Sequence, residues 1–189
     1  MFSGGLDSTG MLYRLLTDPE YGEYNIHVHH VKMCNRENRQ QAESIAVENI
    51  IGWFHNNGMS NFRYTENTID FEFLKHGNFP WDSDVTNFVA GNIVKNKKNT
   101  YKYIAFGRTK NDTNRTITSL SNDILEGVLR GRPVEKIYPI TDLTKEELWD
   151  YLPEELREYT WSCRRPKYID GVPTACGRCV PCKDLKHIK

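Results

Sequence analysis

The sequence predicts an α/β fold, a doubly wound parallel sheet with a cysteine-rich, zinc-binding segment at its C-terminal end. Three observations predict it. Apolar runs of strand and helix periodicity alternate through residues 1–152, the order that builds parallel sheets through right-handed crossovers. A glycine-rich turn, Ser3-Gly4-Gly5-Leu6-Asp7-Ser8, stands at the head of the first helix. Four cysteines gather between positions 163 and 182. The boundary is expected near Pro153–Thr160, giving an α/β domain over 1–152 and a metal-binding segment over 153–189.

The elements follow in order. Gly4 and Gly5 allow conformations that a Cβ forbids, so successive N–H groups can converge into an anion-binding nest. Asp7 or Ser8 is expected to cap the following helix, whose N-terminus favours negative charge. The turn is neither a Walker loop nor a dinucleotide fingerprint, because the Gly-Lys-Ser/Thr and Gly-x-Gly-x-x-Gly patterns are absent. Met11, Leu12, Leu15 and Leu16 fall at helical spacing, and Asp18-Pro19 ends that helix. Asn25–Met33 alternates as a strand, with His27 and His29 on one face and His30 on the other. They read as strand-face residues rather than metal ligands. Asn35, Arg36 and Arg39 follow at the strand's carboxyl end, where α/β sheets bind ligands.

Gln40–Asn57 places Ala42, Ile45, Ala46, Ile50, Trp53 and Phe54 on one helical stripe, and Gly58 stops it. Asn61–Thr68 reads as a strand and Ile69–Pro80 as an aromatic-rich loop. Trp81–Lys97 reads as a helix capped by Asp82 or Ser83, with Val85, Phe88, Val89 and Val94 apolar. Tyr101–Gly107 is expected to be a buried strand. The polar run Arg108–Arg115 at its carboxyl end is a candidate substrate loop, through Arg108, Lys110, Asn111, Asn114 and Arg115. A helix over Ser121–Arg130 should bury Ile124, Leu125, Val128 and Leu129. A short strand, Glu135–Ile140, and a capping box, Thr144 with Glu147, follow.

Composition narrows the function classes. The 189 residues are 38% hydrophobic and 12% aromatic, which suits one domain with an appendage. Formal net charge is zero, so no global field draws in nucleic acid, although residues 160–189 carry +5 and the remainder −5. No apolar run approaches the roughly 18 residues of a membrane span. The N-terminus lacks a basic region followed by an apolar one, so a signal peptide is not expected. A cytoplasmic location is expected, and in a reducing compartment clustered cysteines point to metal rather than disulfides. Cys163, Cys176, Cys179 and Cys182 form C-x12-C-x2-C-x2-C. Four thiolates at tetrahedral reach suit one structural Zn²⁺, with an iron–sulfur cluster as the alternative. Cys34, far away in sequence, reads as a small buried residue.

Ser3-Gly4-Gly5-x-Asp7-Ser8 resembles the PP-loop of the N-type ATP pyrophosphatases. That superfamily has a full strand before the loop. Here only Met1 and Phe2 precede it, so the first strand is a stub or residues lie upstream of Met1. Pro139–Trp149, Thr160–Cys163 and Cys176–Lys183 resemble the 7-cyano-7-deazaguanine synthase family of queuosine and archaeosine biosynthesis. The resemblance is specific at both ends of the chain and weak over residues 60–130. There the family's substrate loop is replaced by Arg108–Arg115, and its Tyr-Gly-Gln-Arg-His by Met33–Glu37.

The resemblance implies a ligase that adenylates 7-carboxy-7-deazaguanine with ATP and Mg²⁺ and uses ammonia to form the nitrile. It implies phosphate binding by Ser3, Gly4, Gly5, Leu6, Asp7 and Ser8, catalytic roles for Asp7, Ser8 and Lys145, and a homodimer. Two other readings stay open. One is a relative that adenylates another carboxylate or a tRNA base. The other is a zinc-ribbon nucleic-acid-binding module with a degenerate ATP site.

Overall fold

The computed structural model describes residues 1–74, 81–96, 100–114 and 119–188. Helix α1 (Leu6–Thr17) leads into strand β1 (Ile26–Cys34), helix α2 (Gln40–Asn56) and strand β2 (Phe62–Asp70). Helix α3 (Asp82–Lys95), strand β3 (Tyr103–Ala105), helix α4 (Ser119–Leu129) and strand β4 (Glu135–Ile137) continue the alternation. Two short helices, α5 (Lys145–Tyr151) and α6 (Glu154–Glu158), precede an antiparallel hairpin, β5 (Lys167–Ile169) with β6 (Val172–Thr174), and helix α7 (Val180–Ile188).

The strand–helix alternation gives an α/β molecule with small parallel sheets. β1 pairs with β2 in parallel from Ile26 opposite Phe62 to Cys34 opposite Asp70. β3 pairs with β4 in parallel from Tyr103 opposite Glu135 to Ala105 opposite Ile137. The main core lies where α1, α2 and α5 meet β1. Leu12, Leu15, Val47, Ile50, Phe54, Ile140, Leu148 and Leu156 are buried together there. The C-terminal segment packs on the same core through Leu156, Tyr159, Trp161, Leu185 and Ile188. The Trp53 indole N–H also donates to Glu155 Oε2 at 3.0 Å, tying α2 to α6. A second cluster, Val94, Ile104, Leu125 and Leu129, joins β3 to α3 and α4.

Several local expectations need correction. Helix α1 begins at Leu6, with Gly5 as its N-cap and no side-chain cap bond. Asp7 and Ser8 lie inside its first turn instead. Trp81, not Asp82 or Ser83, is the N-cap of α3, again without a side-chain bond. Ile45 (39% exposed) and Phe88 (53% exposed) face outward, while Val47 takes the buried place on α2. Ile124 and Val128 are half-buried, unlike Leu125 and Leu129. β2 runs two residues beyond Thr68, and β4 stops at Ile137, where the chain turns through Tyr138–Ile140. Residues 75–80 of the expected aromatic loop lie outside the described residues.

Candidate functional site

The Ser3–Ser8 turn is held by its own hydroxyls. Ser3 Oγ and Ser8 Oγ are 3.0 Å apart, the Gly5 N–H donates to Ser3 Oγ at 3.3 Å, and Ser8 Oγ–H donates to the Gly5 carbonyl at 3.1 Å. Gly4 sits at φ +73°, and a Cβ there would lie 2.9 Å from Val47 Cγ2, so both backbone and space require glycine. The first intrahelical bond runs from the Thr9 N–H to the Gly5 carbonyl. By helix geometry, the N–H groups of the first turn of α1 point out of its N-terminal end. Across from them, Gly107 comes so near that a Cβ there would be 2.9 Å from the Asp7 carbonyl oxygen.

Lys145 reaches this helix end from α5. Thr144 and Glu147 form the expected capping box, with the Glu147 N–H donating to Thr144 Oγ1 at 3.1 Å and the Thr144 N–H donating to Glu147 Oε2 at 2.7 Å. That fixes the first turn of α5 and sets Lys145 Nζ 3.2 Å from Asp7 Oδ2. Lys145, Asp7, Ser3, Gly5, Leu6 and Ser8 open together onto a cavity of about 520 Å³. Gly4 supports the turn from behind.

The far wall of the cavity is charged. Arg39 is buried and donates to Glu43 Oε1 at 2.9 Å and Asp82 Oδ1 at 2.6 Å. Arg164, more exposed, reaches Glu37 at 3.3 Å and Asp82 at 3.1 Å. Burial raises the Glu43 carboxyl to about 7 against the pull of Arg39. A third wall is aromatic: Phe106 and Tyr138 stack at 5.7 Å, and the Arg108 guanidinium lies 5.4 Å from the Tyr138 ring centre.

Of the expected substrate loop, Arg108 lines the cavity. Lys110 is exposed outside it. Asn111 turns to α5, where its Oδ1 accepts the Lys145 N–H at 2.9 Å. Asn114 closes the 3₁₀ turn Lys110–Asn114. Arg115 lies outside the described residues. Near β1, Arg36 is exposed, and Asn35 is buried with its side chain accepting the Glu37 N–H at 3.0 Å.

The four cysteines come together as their spacing predicts. The sulfurs of Cys163, Cys176, Cys179 and Cys182 all lie within 4.8 Å of one another. A tetrahedral Zn²⁺ with bonds of about 2.3 Å wants sulfurs about 3.8 Å apart, so the donor set fits a zinc ion with little adjustment. Gly177 at φ +69° turns the chain between Cys176 and Cys179. The N–H groups of Arg178 and then Cys179 draw the Cys176 thiol down to about 6. Burial pushes Cys163 up and Cys182 to about 12. A metal must displace those protons, which couples its binding to pH.

The sequence did not announce that this cluster abuts the cavity. Trp161, Ser162, Arg164 and Pro181, all neighbours of the cysteines, line it. The Trp161 N–H donates to the Gly4 carbonyl at 2.8 Å, and its indole N–H donates to the Cys163 carbonyl at 3.0 Å. The hairpin was missed as well, although Asp170-Gly171 is a legible signal: both residues have positive φ, 50° and 80°, the type I′ turn. Tyr168 on that hairpin donates to the Asn38 carbonyl at 2.8 Å. No helix among the described residues is long and apolar enough to cross a membrane. Comparison with protein-family models, curated proteins and solved structures finds no match.

Proposed function

We propose that this protein is an ATP-dependent carbon–nitrogen ligase that activates a carboxylate, in the manner of the 7-cyano-7-deazaguanine synthases. One observation carries the reading. The Ser-Gly-Gly-x-Asp-Ser turn, the outward N–H groups of α1 and Lys145 converge on one cavity. Such a helix end favours anions. Ser3, Gly5, Leu6, Asp7 and Ser8, with Gly4 shaping the turn behind them, would cradle the pyrophosphate of ATP, which enters with Mg²⁺. Lys145 would offset the charge that develops as pyrophosphate leaves. The supporting fold is a doubly wound sheet of the PP-loop type, followed from residue 153 by a unit organised around one structural zinc per chain. The assembly is a cytoplasmic homodimer.

A free carboxylate resists attack, because its charge repels the nucleophile and its oxygen leaves poorly. Its oxygen attacks the α-phosphorus, pyrophosphate departs, and an acyl adenylate forms. Ammonia displaces AMP and leaves an amide. A second ATP activates the amide oxygen, and loss of AMP with a proton leaves the nitrile. The chain's task is to align the oxygen and the phosphorus and to exclude water. The stacked Phe106 and Tyr138 offer a surface for a flat heteroaromatic ring. Arg108 and Arg164 supply guanidinium groups for a carboxylate.

The test is incubation with ATP, ammonia and 7-carboxy-7-deazaguanine, with mass detection of the amide and the nitrile. Two AMP per nitrile are expected. ATP cleavage with a different carboxylate would keep the ligase chemistry and change the substrate. Absence of ATP cleavage in zinc-loaded, folded protein would reject the reading.

A further inference from the structure

Helices α3 and α4 pack against each other beside the phosphate-loop cavity. Gly91 lets them come close, since a Cβ there would sit 2.8 Å from Val128 Cγ1. A buried polar seam runs along the start of this contact. Ser121 donates its hydroxyl to Asp84 and lies 2.9 Å from Ser83 Oγ. Asn87, only 7% exposed, donates from Nδ2 to the Ser121 carbonyl at 2.7 Å. The ligase chemistry described above uses none of these groups.

Two side-chain amides of the seam have their orientation set by partners of one kind. A carbonyl only accepts, so Asn87 turns Nδ2 to Ser121 and keeps Oδ1 for the cavity it lines. Asn122 lines the same cavity. An ammonium only donates, so Asn122 turns Oδ1 to Lys136 Nζ, 3.5 Å away, and keeps Nδ2. Asn87 Oδ1 and Asn122 Nδ2 have no partner among the described residues, and neither is sealed off from a ligand. The two amides are neighbours, because the carbonyl that holds Asn87 belongs to the residue before Asn122. They also adjoin the aromatic wall. Lys136 stands two positions before Tyr138, whose ring stacks on Phe106. A flat ring on that wall has its edge beside one acceptor and one donor.

We propose that Asn122 and Asn87 select the ring that enters this cavity, Asn122 donating to a ring carbonyl oxygen and Asn87 accepting from the adjoining ring N–H of a lactam heterocycle. Naming that heterocycle as the carboxylate substrate rests on the ligase reading. Buried polar atoms are satisfied by some partner, and the ring edge is the partner here. With the carboxylate held by Arg108 and Arg164, the ring cannot turn over to exchange its two edge groups. A 6-oxo ring of the deazaguanine type presents C=O beside N–H and meets both amides. Its 6-amino counterpart presents a donor to Asn122 and a bare ring nitrogen to Asn87. Both bonds are then lost, and groups on both sides stay unpaired.

Asn122→Asp tests this by reversing one group. It keeps the size of the side chain and the contact with Lys136, and it replaces the free donor with an acceptor. Titration calorimetry on the zinc-loaded protein measures binding of 7-carboxy-7-deazaguanine, of its 6-amino counterpart and of a non-hydrolysable ATP analogue. The two heterocycles are titrated with and without the analogue. Wild type is expected to prefer the 6-oxo ring at least about a hundredfold, and Asn122→Asp to narrow that preference at least about tenfold with the melting temperature unchanged. Both rings carry the same carboxylate, so repulsion by the new charge cancels in the ratio. Wild-type protein that does not prefer the 6-oxo ring would overturn the proposal, and so would an unchanged ratio in Asn122→Asp. A loss confined to the ATP analogue would overturn it too, since adenine would then occupy the pair. No bond is made or broken in these titrations, so AMP formation by the wild type tests the ligase reading separately.

Discussion

Asp7 stands where the helix end, Lys145 and the cavity meet, yet it carries little of the core. Its side chain is 32% exposed and that of its partner Lys145 23%, so water screens the pair in part and its contribution to stability is small. Asp7→Ala is expected to leave the unfolding midpoint nearly unchanged and to reduce AMP formation at least about a hundredfold, the scale of one preorganised charged group. Near-normal turnover in the folded variant would detach the turn from the chemistry. The histidines of β1 belong to the same scale. Burial lowers His27 to about 4 and also lowers His29 and His30. Groups held below their unfolded value near 6.5 contribute stability that is present above that pH and is lost as pH falls through the folded value. Glu43 acts in the opposite sense. Raised to about 7, it contributes stability below about 4.5 that is lost as pH rises through 7. Three imidazoles outweigh one carboxyl, so urea midpoints should fall from pH 7 to pH 5. Glu43→Gln should make that fall steeper.

At the scale of elements, α5 is the best-specified helix of the chain. Thr144→Ala removes the acceptor for the Glu147 N–H and should cost about 1 kcal/mol in urea unfolding. A cost below a few tenths would mean that Asn111, which accepts the Lys145 N–H, holds the helix start by itself. This box was legible because both partners lie within one turn of chain. The alternation of strands and helices was legible for the same reason. What escaped depended on neighbours distant in sequence. Phe88 has helical spacing with Val85 and Val89, but spacing does not say how wide a face the partner helix covers, and Phe88 falls beyond it. Arg39 reads as a ligand contact at a strand end, and nothing local reports that Asp82, 43 positions on, pairs with it. The cavity's aromatic wall likewise joins Phe106 to Tyr138 from two different strand ends.

For the whole molecule, the cysteine cluster was legible from spacing, and its adjacency to the cavity was not, because no local pattern reports which loop a metal knuckle will touch. Through that adjacency, a metal ion held by the four cysteines would help to set the cavity's shape. Zinc removal by a chelator should lower the melting temperature by more than about 5 °C, since each kcal/mol lost shifts a chain of this size by about 2–4 °C. Cys176→Ser should do the same without chelator. A chelated protein with unchanged melting temperature would show the knuckle to be dispensable for folding. Trp161 bridges the two regions, with its amide on the Gly4 carbonyl and its indole on the Cys163 carbonyl. The ring is therefore a built-in optical gauge. Its emission wavelength depends on how firmly the indole N–H is held away from water, and that grip depends on the Cys163 peptide. Titrating zinc into the stripped protein should move the fluorescence towards the blue in step with occupancy, and Trp161→Phe should silence the response while Trp53, Trp81 and Trp149 go on emitting.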